Sequence, residues 1–170
     1  MLYKWIGAGL IVGSCGGFGI SLALGQKREE ALLLQLRDMI DEMRFRLPFQ
    51  LTPLPELLRQ TAGKGRGPLP EIFLGLAEQL DRQVLPDALC CMEAALADRS
   101  LGFPRVEAML LLLGQSLGRF DLDGQLKDLS KVRRRCAREA EALRENRDIR
   151  LRSFRVLGLC AGAALAILLL

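Results

Sequence analysis

Five cysteines, twenty carboxylates and one loop of alternating glycines and cations are the parts of this sequence that could do chemistry. Cys15, Cys90, Cys91, Cys136 and Cys160 could act as nucleophiles or, if grouped, as zinc ligands. Their spacing argues otherwise. Cys90 and Cys91 are adjacent, no C-x-x-C occurs, and Cys15 and Cys160 lie in uncharged stretches. That pattern fits reduced, packed thiols, with a reactive or metal-binding cysteine as the lesser alternative. Histidine is absent, so the commonest general base and metal ligand is missing. Gly63-Lys64-Gly65-Arg66-Gly67-Pro68 has spaced glycines, as a phosphate cradle would. No strand pattern precedes it and no G-K-[ST] follows, so it is expected to be a plain connecting loop. Carboxylates such as Glu139 and Glu141 sit one helical turn from Arg135 and Arg138 and form no convergent set. No enzyme, cofactor, metal site or small-molecule substrate is expected.

The elements that would position these residues are all helical. Leu126, Leu129, Val132, Cys136, Ala140 and Leu143 recur at spacings of three and four, one apolar stripe on a 3.6-residue period. Lys131, Arg133, Arg134, Arg135 and Arg138 lie between them, and Arg144, Arg147, Arg150, Arg152 and Arg155 follow. From Val156 to Leu170 no charge remains. The pattern predicts one long helix that enters a membrane through an arginine collar (Arg144, Arg147, Arg150, Arg152, Arg155) and spans it over residues 154–170. Fifteen uncharged residues rise only ~22 Å, short of a ~30 Å hydrocarbon core, so bilayer thinning or helix packing must supply the rest.

Residues 5–24 form a second uncharged run, long enough to span. Gly9, Gly13, Gly17 and Ser21 repeat every fourth residue, as do Gly158, Gly162 and Ala166, giving each span a small-residue face for close helix packing. Ala23-Leu24-Gly25 loosely resembles a signal cleavage site, but the run exceeds a usual signal core and only Lys4 precedes it, so a retained span is expected. Between the spans, apolar periodicity and proline starts predict about six helices. Their predicted buried faces are Leu32, Leu36, Met39, Ile40, Met43 and Leu47; a short helix from Pro53; Ile72, Phe73, Leu76 and Leu80 after Pro70; Leu89, Cys90, Met92, Ala95 and Leu96 after Pro86 or Asp87; and Val106, Met109, Leu110, Leu113 and Leu117 after Pro104. The expected architecture is therefore all-α: a transmembrane helix at 5–25, a cytoplasmic helical domain at 26–153 and a second transmembrane helix at 154–170.

Charge sets the expected orientation. Lys127 to Arg155 holds 11 bases against 5 acids, a net +6, whereas Lys27 to Leu126 holds 12 bases against 15 acids, a net −3. Basic segments beside spans stay in the cytoplasm, which puts the helical body there and both termini outside. The run from Lys131 to Arg138 is expected to be mainly a solvated helix face. Contact of Arg133, Arg134 and Arg135 with anionic lipid or an acidic protein is the second reading. Nucleic acid is disfavoured because no aromatic stacking residues accompany the run.

Two motifs carry a family resemblance. Leu113-Gly114-Gln115-Ser116-Leu117-Gly118-Arg119-Phe120-Asp121, followed by Gln125, resembles the L-G-x-x-L-G-x-x-D-x-x-x-Q signature of the stage III sporulation protein AB family. Leu51-Thr52-Pro53-Leu54-Pro55-Glu56-Leu57 resembles its L-T-P-L-P-E-A-L segment, and the terminal spans match in kind over essentially the whole chain. On physical grounds alone, Leu113 and Leu117 face a core, Gly114 and Gly118 admit a neighbouring backbone, and Asp121 caps the next helix, a helix-crossing device. The resemblance implies a protein of an endospore-forming bacterium, in the mother-cell membrane around the forespore, acting with a cytoplasmic secretion-type ATPase and ring-forming proteins in a channel. It also implies a body similar to the inner-membrane platform protein of type II secretion and type IV pili. The polar side of the final helix and the 63–68 loop are the expected contact surface. The alternative is a membrane-tethered regulator that binds anionic lipid or nucleic acid through residues 131–138.

Overall fold

The structure is a computed structural model that describes residues 25–48, 53–83, 85–117 and 122–169, with side chains as far as Arg147. The described residues form six helices joined by turns and short loops, with no strand among them. They are α1 (residues 25–46), α2 (Leu54–Ala62), α3 (Pro68–Arg82), α4 (Ala88–Asp98), α5 (Pro104–Ser116) and α6 (Leu122–Leu169). They divide into a body, Ala31–Ala140, and a second unit that holds residues 25–30 and 141–169.

In the body α2, α3, α4 and α5 pack in chain order, each on the next. Prolines set most of the starts. Pro104 opens α5 at a position where its missing N–H costs nothing. α3 begins at Pro68, two residues earlier than Pro70, because Gly67 turns the chain at φ +84. For α2 the expected register is off by one. Pro53 is the cap residue, its carbonyl accepts from the Glu56 and Leu57 amides at 3.0 and 3.1 Å, and Pro55 lies in the first turn. Asp87 caps α4, its Oδ1 accepting from the Cys90 amide at 2.7 Å. Glu107 ties down the turn before α5 by accepting from the Leu101 and Gly102 amides.

The buried faces follow the predicted period with two shifts. α5 buries Val106, Met109, Leu110, Leu113 and Leu117 as predicted. α1 buries Leu33, Leu36, Met39, Ile40 and Met43, with Leu33 in place of Leu32, since three consecutive leucines leave the phase open. On α4 the face is Ala88, Cys91, Met92 and Ala95, while Leu89, Cys90 and Leu96 are half-buried. Nearly every residue of that helix is apolar, so periodicity alone could not fix its phase. Each fully buried leucine or phenylalanine, Phe73 and Leu110 among them, contributes roughly 1.5–3 kcal/mol, so the core outweighs the surface ion pairs.

Among the described residues no helix is long and apolar enough to cross a membrane. Apart from Gly25, the expected span at 5–25 lies outside them. The expected span at 154–170 falls on the last turns of α6, whose backbone is helical to Leu169. Two flanking transmembrane helices are thus no part of the described architecture, and the domain expected at 26–153 becomes a body of Ala31–Ala140.

Two helical glycines give opposite expectations. A Cβ at Gly114 would lie 3.0 Å from Met92 Cβ, 3.2 Å from the Ala88 carbonyl oxygen and 3.2 Å from Leu89 Cα. Two of those atoms are backbone and cannot swing aside. Gly114→Ala is expected to lower the thermal unfolding midpoint, with about 1–3 kcal/mol of overpacking exceeding the ~1 kcal/mol gain in helix propensity. At Gly75 the Cβ would meet only Ala95 Cβ, at an ordinary 3.6 Å, so Gly75→Ala is expected to raise the midpoint. Equal shifts of the same sign would contradict the close crossing.

Candidate functional site

Two adjacent carboxylates on α1 organise the polar surface of the body. Asp41 accepts from Arg133 Nε of α6 at 2.7 Å and from Arg44 of its own helix at 3.1 Å. Glu42 Oε1 accepts from Arg46 Nε at 2.6 Å and from Lys64 Nζ at 2.7 Å. Arg46 also donates to Gln60 of α2 at 2.7 Å, and Gln60 donates to Glu56 at 3.1 Å. One turn of α1 therefore binds α6 on one side and α2 with its following loop on the other. The bonds from Lys64 and then Arg46 hold the Glu42 carboxyl below its ordinary range, and the Asp41 contact raises the Arg133 guanidinium.

The glycine-spaced loop is part of this arrangement. Its Arg66 carbonyl accepts from Gln35 Nε2 of α1 at 2.7 Å. A Cβ at Gly65 would lie 2.6 Å from Pro70 Cγ and 3.2 Å from Gln35 Nε2. Glycine lets the loop close onto α1, so its composition has a packing cause.

The signature residues are spread over α2, α5 and α6. Leu113, Gly114 and Leu117 are buried, and Gly114 sits against the first turns of α4, where α5 crosses that helix. Ser116 is buried too, its hydroxyl donating to the Leu112 and Leu113 carbonyls. Gln125 is buried at the head of the α6 stripe, where it precedes Leu129, Val132, Cys136, Ala140 and Leu143, while Leu126 is half-buried. Pro53 and Pro55 stand at the start of α2. Thr52, Gly118 and Asp121 lie outside the described residues.

The basic run splits by role. Arg133 is committed to Asp41, whereas Lys127, Lys131, Arg134, Arg135 and Arg138 are exposed on α6. Of these five only Lys131 forms an ion pair among the described residues, with Asp128 at 2.8 Å. Beside them a groove of about 290 Å³ opens between α5 and α6, with Leu112 and Val132 among its walls and Gln115, Asp128, Lys131 and Arg135 around them.

In the second unit Arg147 donates to Glu30 at 2.5 Å, with both side chains mostly shielded. That pairing removes Arg147 from the solvent-facing collar, and Arg144 is exposed. The side chains of Arg150, Arg152, Arg155, Gly158, Gly162 and Ala166 lie outside the described ones, as do Gly9, Gly13, Gly17 and Ser21 altogether. Among the described residues no three or more His, Cys, Asp or Glu side chains gather as a metal site. The thiols there are free. Burial pushes Cys136 up to about 12 and raises Cys91, which keeps both protonated.

A close glycine crossing, a tandem-carboxylate clasp and a row of exposed cations characterise this all-helical body. The chain belongs to the stage III sporulation protein AB family, whose model matches residues 4–170, and it is a sporulation protein. A solved structure titled stage III sporulation protein AB shares the fold, with 21% identity, a TM-score of 0.59 and coverage of 69% of this chain and 94% of that one. A comparison with the curated proteins gives no match.

Sequence reading missed Asp41 and Glu42 as an organising pair. Asp41 and its partner Arg133 are 92 positions apart, and no local pattern links them. The pair has a pH signature. Glu42 is depressed in the folded state, so its contribution is complete above the ordinary 4.5 and is lost as pH falls through the lower folded value. Glu42→Gln should lower the unfolding midpoint at neutral pH, by about 0.5–1 kcal/mol, and the deficit should shrink under acid. A deficit independent of pH would count against the clasp. Alkylation gives a second check: at pH 8 Cys136 and Cys91 should stay unmodified until denaturant is added, and rapid native labelling of Cys136 would contradict its burial.

Proposed function

We propose that this protein is a membrane platform component of the channel between mother cell and forespore. It couples a cytoplasmic secretion-type ATPase to the trans-envelope assembly and has no catalytic chemistry of its own. The observation that carries the reading is the single helix α6, Leu122–Leu169. It contributes buried positions to the body and runs on into the uncharged tail that begins at Val156. Family membership supports a sporulation role. The uncharged stretches 5–24 and 156–170 support two spans, with the basic segments on the cytoplasmic side. A platform works by holding partners in place, and the described surface is built from packing and ion pairs.

The competing regulator, binding lipid or nucleic acid through residues 131–138, has less support. Arg133 is spent on Asp41, and the exposed cations lack aromatic neighbours for stacking bases.

In a spore former, deleting the gene should stop forespore development, and the full chain, but not one lacking residues 156–170, should restore it. Normal sporulation in the deletion strain would sink the proposal. Alkaline phosphatase fused after Leu170 should be active, and an inactive fusion would overturn the two-span topology.

A further inference from the structure

The exposed cations of α6 are grouped on one helix. Elsewhere in the body several cations meet carboxylates, Arg46 and Lys64 on Glu42, Arg99 on Glu71, Arg105 on Glu139 and Arg59 on Asp81, while Arg66 and Arg82 stand singly on the surface. Lys127, Arg134, Arg135 and Arg138 make no ion pair among the described residues. Lys127, Lys131, Arg134 and Arg138 are spaced four, three and four apart, so they repeat once per turn along one face, every ~5.4 Å. The groove between α5 and α6 opens beside this row, and Lys131 and Arg135 belong to both. Leu112 and Val132 form its apolar walls, Gln115, Ser116 and Asp128 complete the lining beside the cations, and its volume of about 290 Å³ is room for one large apolar side chain.

We propose that this face receives an acidic amphipathic helix of a partner protein. Its carboxylates would lie along the α6 cation row, and one apolar side chain would enter the groove between Leu112 and Val132. Charge complementarity chooses the sign of the partner, and the turn-by-turn cation spacing suits a helix laid alongside. The groove argues for a protein over a lipid surface, because a bilayer of headgroups has no side chain to insert. The inference is independent of the channel reading, since it concerns only a surface of the body.

The test uses the full chain in nanodiscs of neutral lipid. The probe is a synthetic helical peptide with leucines on one face and glutamates on the others. Controls are the same peptide with lysine for glutamate, one with serine for leucine, and phosphatidylglycerol vesicles. The glutamate–leucine peptide should bind, more weakly as salt rises. Arg134→Glu with Arg135→Glu should weaken it about tenfold or more. Gln115→Trp, which fills the groove and leaves the charges, should weaken it as well. Equal binding of the serine peptide, or no effect of Gln115→Trp, would remove the groove from the proposal and overturn it. Tighter binding to the vesicles than to the peptide, lost with the same reversals, would assign the face to lipid. Self-association abolished by those reversals would assign it to a second copy. All three changed positions are exposed, and an unchanged circular-dichroism melt confirms folding of the variants.

Discussion

Burial of one side of α6 is the constraint from which the body's arrangement follows. Leu129, Val132, Cys136 and Ala140 must leave water, yet the same turns carry Lys131, Arg133, Arg134, Arg135 and Arg138. A helix with so many cations folds only if its apolar stripe finds a matching wall. The short helices pack in sequence, α2 on α3, α3 on α4, α4 on α5. Contacts close in sequence need little loop-closure entropy, so this part forms cheaply. The costlier step is bringing α1 and α6 to the same body from opposite ends of the chain.

Asp41 and Glu42 determine how that long-range step is registered. An ion pair on a half-exposed surface is worth about 0.2–1 kcal/mol, far below the burial of a few leucines. The clasp is therefore a weak source of stability. It is a strong source of specificity, because sliding α6 by one turn against α1 would separate Arg133 from Asp41. The loop Gly63–Gly67 adds to the same register, with Lys64 on Glu42 and the Arg66 carbonyl on Gln35.

Once Arg133 has been used in this way, the remaining cations have a different standing. Five of them lie exposed beside a groove whose rim includes Gln115, an unspecified position within the Leu-Gly-x-x-Leu-Gly signature. The buried positions of that signature set the α4–α5 crossing, and its outward position faces the groove. One short motif thus fixes a helix crossing and shapes a surface.

The amino-acid order alone determined the helical class, the proline-led start of α5, the α5 core face and the family. Each depends on interactions within a few residues: period, caps and short motifs. It also marked Gly114 as a gap for a neighbouring backbone, since small residues four apart have a local spacing that can be read directly. Phase within uniformly apolar stretches was decided only by packing. Leu33 replaced Leu32, and Cys91 went inside in place of Cys90, because period cannot select a face where every face is apolar. The Asp41–Arg133 pair, the Glu42 network, the Arg147–Glu30 pair and the α5–α6 groove likewise belong to tertiary structure. They join residues far apart in the chain, and nothing in the order of residues states which distant charge a helix will meet.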